Sequence, residues 1–232
     1  MAQRIVYIQR LMTQKYIPTW EYQKYIARQI QENVRNKKTP GHMLLLVEHP
    51  PVYTTGLRDF EYSPEEEKKL KSLGADFVRT NRGGLITFHG PGQLVAYPIL
   101  HLSSFQPGIK WYVCALEKTV IRTCHSFGVS ASTSPHTGVW VGDNKVCAVG
   151  IQGRHVTTHG LALNCNIILK WFESIVPCGI PDKGVTSLSK ELKREVTTEE
   201  VVPHFLEAFA KIFQCSFEEV DDAPFKNWLA AN

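Results

Sequence analysis

The chain has 232 residues, 43% hydrophobic and 21% charged, enough apolar side chain for a full core and too much for a disordered polypeptide. Its formal charge is only +4, too mild to point to nucleic acid, though suited to an acidic protein partner or an anionic small molecule. No apolar run is long enough to span a bilayer, and no Ser/Gly/Pro-rich linker or charge block divides the chain, so the expectation is one domain over 1–232.

In chain order, Arg4-Ile5-Val6-Tyr7-Ile8 reads as a first strand. The first twenty residues carry Arg4, Arg10 and Lys15 and no acid, faintly like a mitochondrial targeting segment, but the strand pattern is the stronger reading. Pro18 suits a first helical turn, and Tyr22, Ile26, Ile30 and Val34 share a face, which predicts a helix over 18–34. The run 42–48 is nearly all apolar, as in a buried strand. Ser63-Pro64-Glu65-Glu66 is a capping box with proline at the first helical position, and Gly74 stops that helix. Strands are predicted at 75–80, 85–89 and 94–100. A second long helix covers 111–127, with Val113, Leu116, Val120 and Phe127 inward and Gly128 as its stop. Residues 139–141, the turn Gly142-Asp143-Asn144 and residues 145–151 read as a hairpin, and a further strand pair is predicted across 154–167. A last helix covers 197–214, with Thr197 and Glu200 as its capping box and a bend at Pro203, and Cys215 opens a terminal strand. Helices and strands mix without strict alternation, so the expected class is α+β with a mixed β-sheet flanked by helices.

Six cysteines are present, none in a C-x-x-C pair, and free thiols fit better than a disulfide framework. Cys114 and Cys124 fall in the helix pattern, Cys147 and Cys165 in apolar strands, and Cys215 at a strand start, all ordinary places for a small buried hydrophobe. Cys178 differs. It lies in Ile175-Val176-Pro177-Cys178-Gly179-Ile180-Pro181, where prolines and glycine break regular structure. A reactive thiol needs a cation or a helix N-terminus nearby. Thr186 or Ser187 is placed to cap a helix after this loop. Lys145 is the best cation, a lone charge opening Lys145-Val146-Cys147-Ala148-Val149-Gly150. A lysine at a hairpin end is ordinarily a surface residue; the alternative is an ammonium aimed into an apolar pocket, where it lowers the thiol pKa and exchanges protons.

Arg82-Gly83-Gly84-Leu85-Ile86-Thr87-Phe88-His89-Gly90-Pro91-Gly92-Gln93 concentrates glycine freedom, a fixed charge and polar groups, and reads as a ligand cradle rather than an incidental glycine hairpin. It is neither a P-loop nor a dinucleotide fingerprint, lacking Gly-Lys-Ser/Thr and the third glycine. His159-Gly160-Leu161-Ala162-Leu163-Asn164 is a second small-residue segment fit to line the same pocket. His155 and His159 lie in a strand-like region, about 13 Å apart along a strand, which argues against a metal site.

These motifs, in this order, resemble the lipoyl(octanoyl) transferase family, also called octanoyltransferase or lipoate–protein ligase B. The resemblance runs from about residue 40 to 215 and includes Gly138-Val139-Trp140-Val141, Pro177-Cys178-Gly179 and Val185-Thr186-Ser187-Leu188. It implies a biotin/lipoate protein ligase-like (class II synthetase-like) fold. It implies that Cys178 carries an acyl-thioester intermediate and that Lys145 lowers its pKa. It implies that Arg82, Gly83, Gly84, Leu85, Ile86, Thr87, Phe88 and His89, then Ala148, Val149 and Gly150, then Gly160, Leu161 and Ala162, bind substrate. The implied donor is octanoyl-acyl carrier protein. The implied acceptors are lipoyl domains of 2-oxoacid dehydrogenase E2 subunits and the glycine-cleavage H protein, with no ATP, no metal and no nucleic acid. The segment 186–192 is similar to animal members, which implies the mitochondrial matrix. Three rival readings remain at this stage: an ATP-dependent lipoate–protein ligase or lipoyl amidotransferase of the same fold, a non-catalytic carrier-domain binding module, and a cysteine hydrolase using His89 or His159.

Overall fold

The computed structural model describes residues 4–57, 62–176 and 183–232. Its main sheet is mixed. β1 (Arg4–Thr13) pairs in parallel with β2 (His42–Glu48) on one side and β11 (Cys215–Val220) on the other. β2 then runs antiparallel to β6 (Gln93–Ile99), β6 to β9 (Thr158–Asn164), and β9 to β8 (Asn144–Gln152). At the far edge β8 carries β7 (Val139–Val141) antiparallel and the two-residue β10 (Gly184–Val185) parallel.

Central strands of this sheet are apolar on both faces because helices cover both. In β2, Leu44 and Leu46 turn to one side and Leu45 and Val47 to the other. The first side receives α3 (Ile109–Ser126) through Tyr112, Leu116 and Val120, and α5 (Thr198–Phe213) through Phe205, Phe209 and Phe213. The second receives α1 (Tyr16–Arg35) through Tyr22, Ile26 and Ile30, and α6 (Ala223–Ala231) through Phe225. Each such fully buried side chain contributes on the order of 1.5–3 kcal/mol.

A smaller sheet orders β4 (Asp76–Arg79), β3 (Val52–Thr55) and β5 (Thr87–His89). Its outer face packs Tyr53, Phe77 and Phe88 against Phe172 and Trp171 in a short 3-10 turn, Leu169–Ser174. The capping box of α2 (Pro64–Ser72) forms as expected: the Ser63 hydroxyl accepts from the Glu66 N–H, and the Glu66 carboxylate from the Ser63 N–H. Ser187, not Thr186, caps α4 (Leu188–Leu192).

The structure corrects several expectations. Residues 154–167 give one strand rather than a pair: β9 finds its partners in β8 and β6, across the sheet. Only half of the Thr197 box forms, because the Glu200 carboxylate turns to Arg194. Helix α1 starts at Tyr16, so Pro18 falls in its first turn, where N–H groups have no intrahelical acceptor. Helix α6 went unread, being nine residues long with two aromatic anchors, Phe225 and Trp228. No described helix is long and apolar enough to cross a membrane.

Candidate active site

A cavity of about 640 Å³ opens where the small-residue stretches of β8 and β9 meet the segment before β5 and the first turns of α1 and α3. It gathers almost every expected substrate residue: Arg82, Gly83, Gly84, Leu85, Thr87, His89, Ala148, Val149, Gly150, Gly160, Leu161 and Ala162, together with Lys145. Ile86 and Phe88 are the exceptions, absent from the cavity lining. Both pack with Tyr53 and Phe172 behind the small sheet, because alternate residues of a strand face opposite sides. Cys178 lies outside the described residues, as do 177–182.

Glycine lets the cradle close on β8 at Gly150. A Cβ there would stand 3.0 Å from the Gly83 carbonyl oxygen and 3.1 Å from Arg82 Cδ. The bare backbone lets the cradle lie down on β8, where the Gly83 N–H donates to the Ile151 carbonyl at 2.9 Å.

Lys145 is 5% exposed, so it is not the surface lysine of an ordinary hairpin end. Its Nζ sits 4.7 Å from the centroid of the Trp140 ring. Its carbonyl accepts the Thr186 N–H at 3.0 Å, and Val185 is its register partner in β10. The chain that emerges from the Cys178 segment is therefore stitched directly to Lys145.

Away from Lys145, the polar wall is a directed chain of hydrogen bonds. Arg82 Nη2 donates to Thr54 Oγ1 (3.0 Å), whose hydroxyl donates to His89 Nε2 (3.2 Å). His89 Nδ1–H donates to Gln93 Oε1 (2.8 Å), Gln93 Nε2 to Asn164 Oδ1 (2.9 Å), and Asn164 Nδ2 to the Thr186 carbonyl (2.8 Å). The amide assignments fix His89 as the neutral Nδ1–H tautomer.

Two more imidazoles stand beside it. His49 donates from Nδ1 to the Gln14 carbonyl (2.6 Å) and accepts from Tyr97 at Nε2 (2.8 Å). His159 donates from Nε2 to Asn81 (3.2 Å) and accepts from Tyr16 at Nδ1 (3.3 Å). Its backbone is left-handed, φ +57°, and its N–H is held by Gln23 Oε1 at 2.7 Å. Such strain costs on the order of 1–3 kcal/mol and gathers at functional sites. Desolvation drives the pKa of His89 and of His159 down to about 3 and that of His49 to about 4. All three rings are neutral at physiological pH with both nitrogens engaged. This weighs against His89 or His159 as the base of a cysteine hydrolase.

Burial also pushes the Cys124 thiol up to about 12 and those of Cys147 and Cys165 well above their ordinary value, as expected of inert core cysteines. Among the described residues, no three His, Cys, Asp or Glu side chains cluster as a metal site. The sequence reading missed Tyr16, Tyr97 and His136 on the cavity wall. None carries a local signal. Tyr16 reaches the site because α1 begins there, and Tyr97 because β6 lies beside β9.

Lipoate-protein ligase A bound with ATP shares the fold with a TM-score of 0.70 at 14% identity, covering 100% of this chain and 93% of that one. Residues 15–210 match the lipoyl protein ligase A/B catalytic domain, and the chain belongs to that family. It is 61% identical over 194 residues to the mitochondrial octanoyl-acyl-carrier-protein:protein N-octanoyltransferase LIPT2 of Danio rerio, covering 83% of this chain and 87% of that protein. Against the enzyme of the same name from Homo sapiens it is 50% identical over 185 residues, covering 78% and 80%.

Proposed function

We infer that the chain is a mitochondrial octanoyltransferase that moves an octanoyl group from acyl carrier protein to a lysine of a lipoyl-bearing protein, through a thioester on Cys178. The acceptors are lipoyl domains of E2 subunits and the glycine-cleavage H protein. Relatives at 50–61% identity bear the activity in their names. What supports the assignment of roles is Lys145, a buried ammonium on the wall of the large cavity, bound through its carbonyl to the segment that follows Cys178.

The chemistry needs two exchanges. The Cys178 thiolate attacks the octanoyl thioester carbonyl; a new C–S bond forms, the carrier's C–S bond breaks, and its thiolate leaves. Thioester replaces thioester, so this step is nearly balanced. The acceptor ε-amine then attacks octanoyl-Cys178; a C–N bond forms, the C–S bond breaks, and the enzyme thiolate returns. Amide formation from a thioester runs downhill, so no ATP is needed. Lys145 stabilises the thiolate as an ammonium and, as a free amine, takes the proton of the incoming lysine. The apolar wall of Val95, Leu161 and Ala162 suits an acyl chain. Arg82, Thr87 and His89 supply the polar rim, and hydrogen bonds hold Arg82 and His89 in place.

The test is mass spectrometry after mixing with octanoyl-acyl carrier protein, without ATP. An octanoyl increment on Cys178, followed by its transfer to a lipoyl domain, is expected. Cys178→Ser should bind carrier without transferring. Strict ATP dependence, or full transfer by that variant, overturns the reading.

A further inference from the structure

We propose that Trp140 is a positioning residue for the transfer, holding Lys145 as an ammonium while leaving its charge free to act on the thiol. This rests on the reading of Lys145 as the cation that activates Cys178.

The two side chains are register partners across the β7–β8 pair. Trp140 is 2% exposed, and its ring is fixed at both ends. The indole N–H donates to the His136 carbonyl at 3.1 Å, and its backbone exchanges hydrogen bonds of 2.8 and 2.9 Å with Ser132. The lysine stem is fixed too. Gly138 has φ +124°, and a Cβ there would come within 2.7 Å of the Cys147 carbonyl oxygen and 3.2 Å of Lys145 Cε. A side chain at 138 would clash with that carbonyl and press on the lysine stem.

A buried ammonium needs compensation. The usual partner is a carboxylate, yet among the described residues none lies within 4 Å of Lys145 Nζ. The charged and titratable groups around this corner are few. Glu117, from α3, spends one oxygen on the Gly138 N–H at 2.9 Å. Asp143 is paired with Lys183, Cys147 is a buried thiol, and His136 lies on the cavity wall. The difference between the two kinds of partner decides what the lysine can do. A carboxylate would hold the ammonium and cancel its field. An aromatic face attracts the cation through its quadrupole and carries no net charge, so it does not itself cancel the field that draws a thiolate. Tryptophan offers the strongest such face.

The two half-reactions should respond in opposite directions. Without the indole the ammonium loses the face that attracts it and is less confined. Formation of octanoyl-Cys178 then slows about three- to tenfold near pH 7, and its pH profile moves upward. Transfer from preformed octanoyl-enzyme to a lipoyl domain needs the free amine, so it keeps its rate or gains. The experiment is single-turnover kinetics of each half-reaction over pH 6–9 for wild type, Trp140→Phe and Trp140→Leu, with thermal unfolding measured alongside. Acylation rates in the order Trp, Phe, Leu, with transfer maintained, are expected. Unchanged acylation rate and pH profile overturn the proposal. So does an equal fall in both half-reactions, which would mean a purely structural role. If the Leu variant does not fold, the Phe variant decides alone. Failure of wild type to form octanoyl-Cys178 would instead sink the reading of Cys178 and Lys145, a result separable from either of these.

Discussion

The two ends of the cavity treat basic side chains in opposite ways. At one end Lys145 is buried against an indole face, with no carboxylate within 4 Å of its Nζ among the described residues. At the other, His89 and His159, with His49 packed behind His89, are buried with both nitrogens committed to neutral partners, and desolvation holds them far below their usual pKa. Burial alone therefore does not make a reactive group. The lysine is given a face that tolerates charge; the imidazoles are given donors and acceptors that fit only the neutral ring.

The largest expected effect falls on Lys145. Lys145→Ala should lower transfer by on the order of 10²–10⁴, the usual worth of a proton-handling group. Lys145→Arg should retain more of the first half-reaction than of the second, since a guanidinium keeps its charge but does not accept a proton. Equal losses in both would erase the distinction between the two ends.

The histidine end predicts a stability profile. His49, His89 and His159, with His42 lowered to about 4, have folded pKa values below the unfolded 6.5. Above pH 6.5 neither state is protonated and they contribute nothing. As pH falls from 6.5 towards 3, the unfolded chain binds protons that the folded chain refuses. Each ring then destabilises the fold by about 1.4 kcal/mol per pH unit. Urea unfolding at pH 7, 6 and 5 should show a steepening loss, and a flat profile would mean that the rings are not held neutral.

Smaller effects sharpen the contrast. Gln93→Leu leaves His89 Nδ1–H and Asn164 without their partner and should cost about 1–3 kcal/mol in denaturant unfolding. Phe88→Leu should lower stability by about 1–2 kcal/mol while leaving KM for the carrier unchanged, because that ring faces the aromatic cluster and not the cavity. A raised KM would return Phe88 to the substrate wall.

What could be read in advance followed local pattern. The continuous apolar run of β2, the Ser63 box and the hairpin around Gly142 all fell where spacing put them. Lys145 stood out because a lone charge in an apolar strand needs a reason. What escaped was non-local. Ile86 and Phe88 were drawn in with their neighbours because a motif is contiguous, whereas a strand has two faces. The histidine network joins residues 35 and 71 positions apart. The Lys145–Trp140 contact needs the hairpin register before it can be seen.

The five links from Arg82 to Thr186 all point one way, like valves set in series. Turning any single amide around would set lone pair against lone pair at one end and hydrogen against hydrogen at the other. The His89 ring is thereby denied a flip, and its two ring nitrogens should keep distinct, unmoving nitrogen-15 resonances from pH 8 down to pH 5. A wall that admits only one placement of its hydrogens presents one fixed face to whatever enters the cavity.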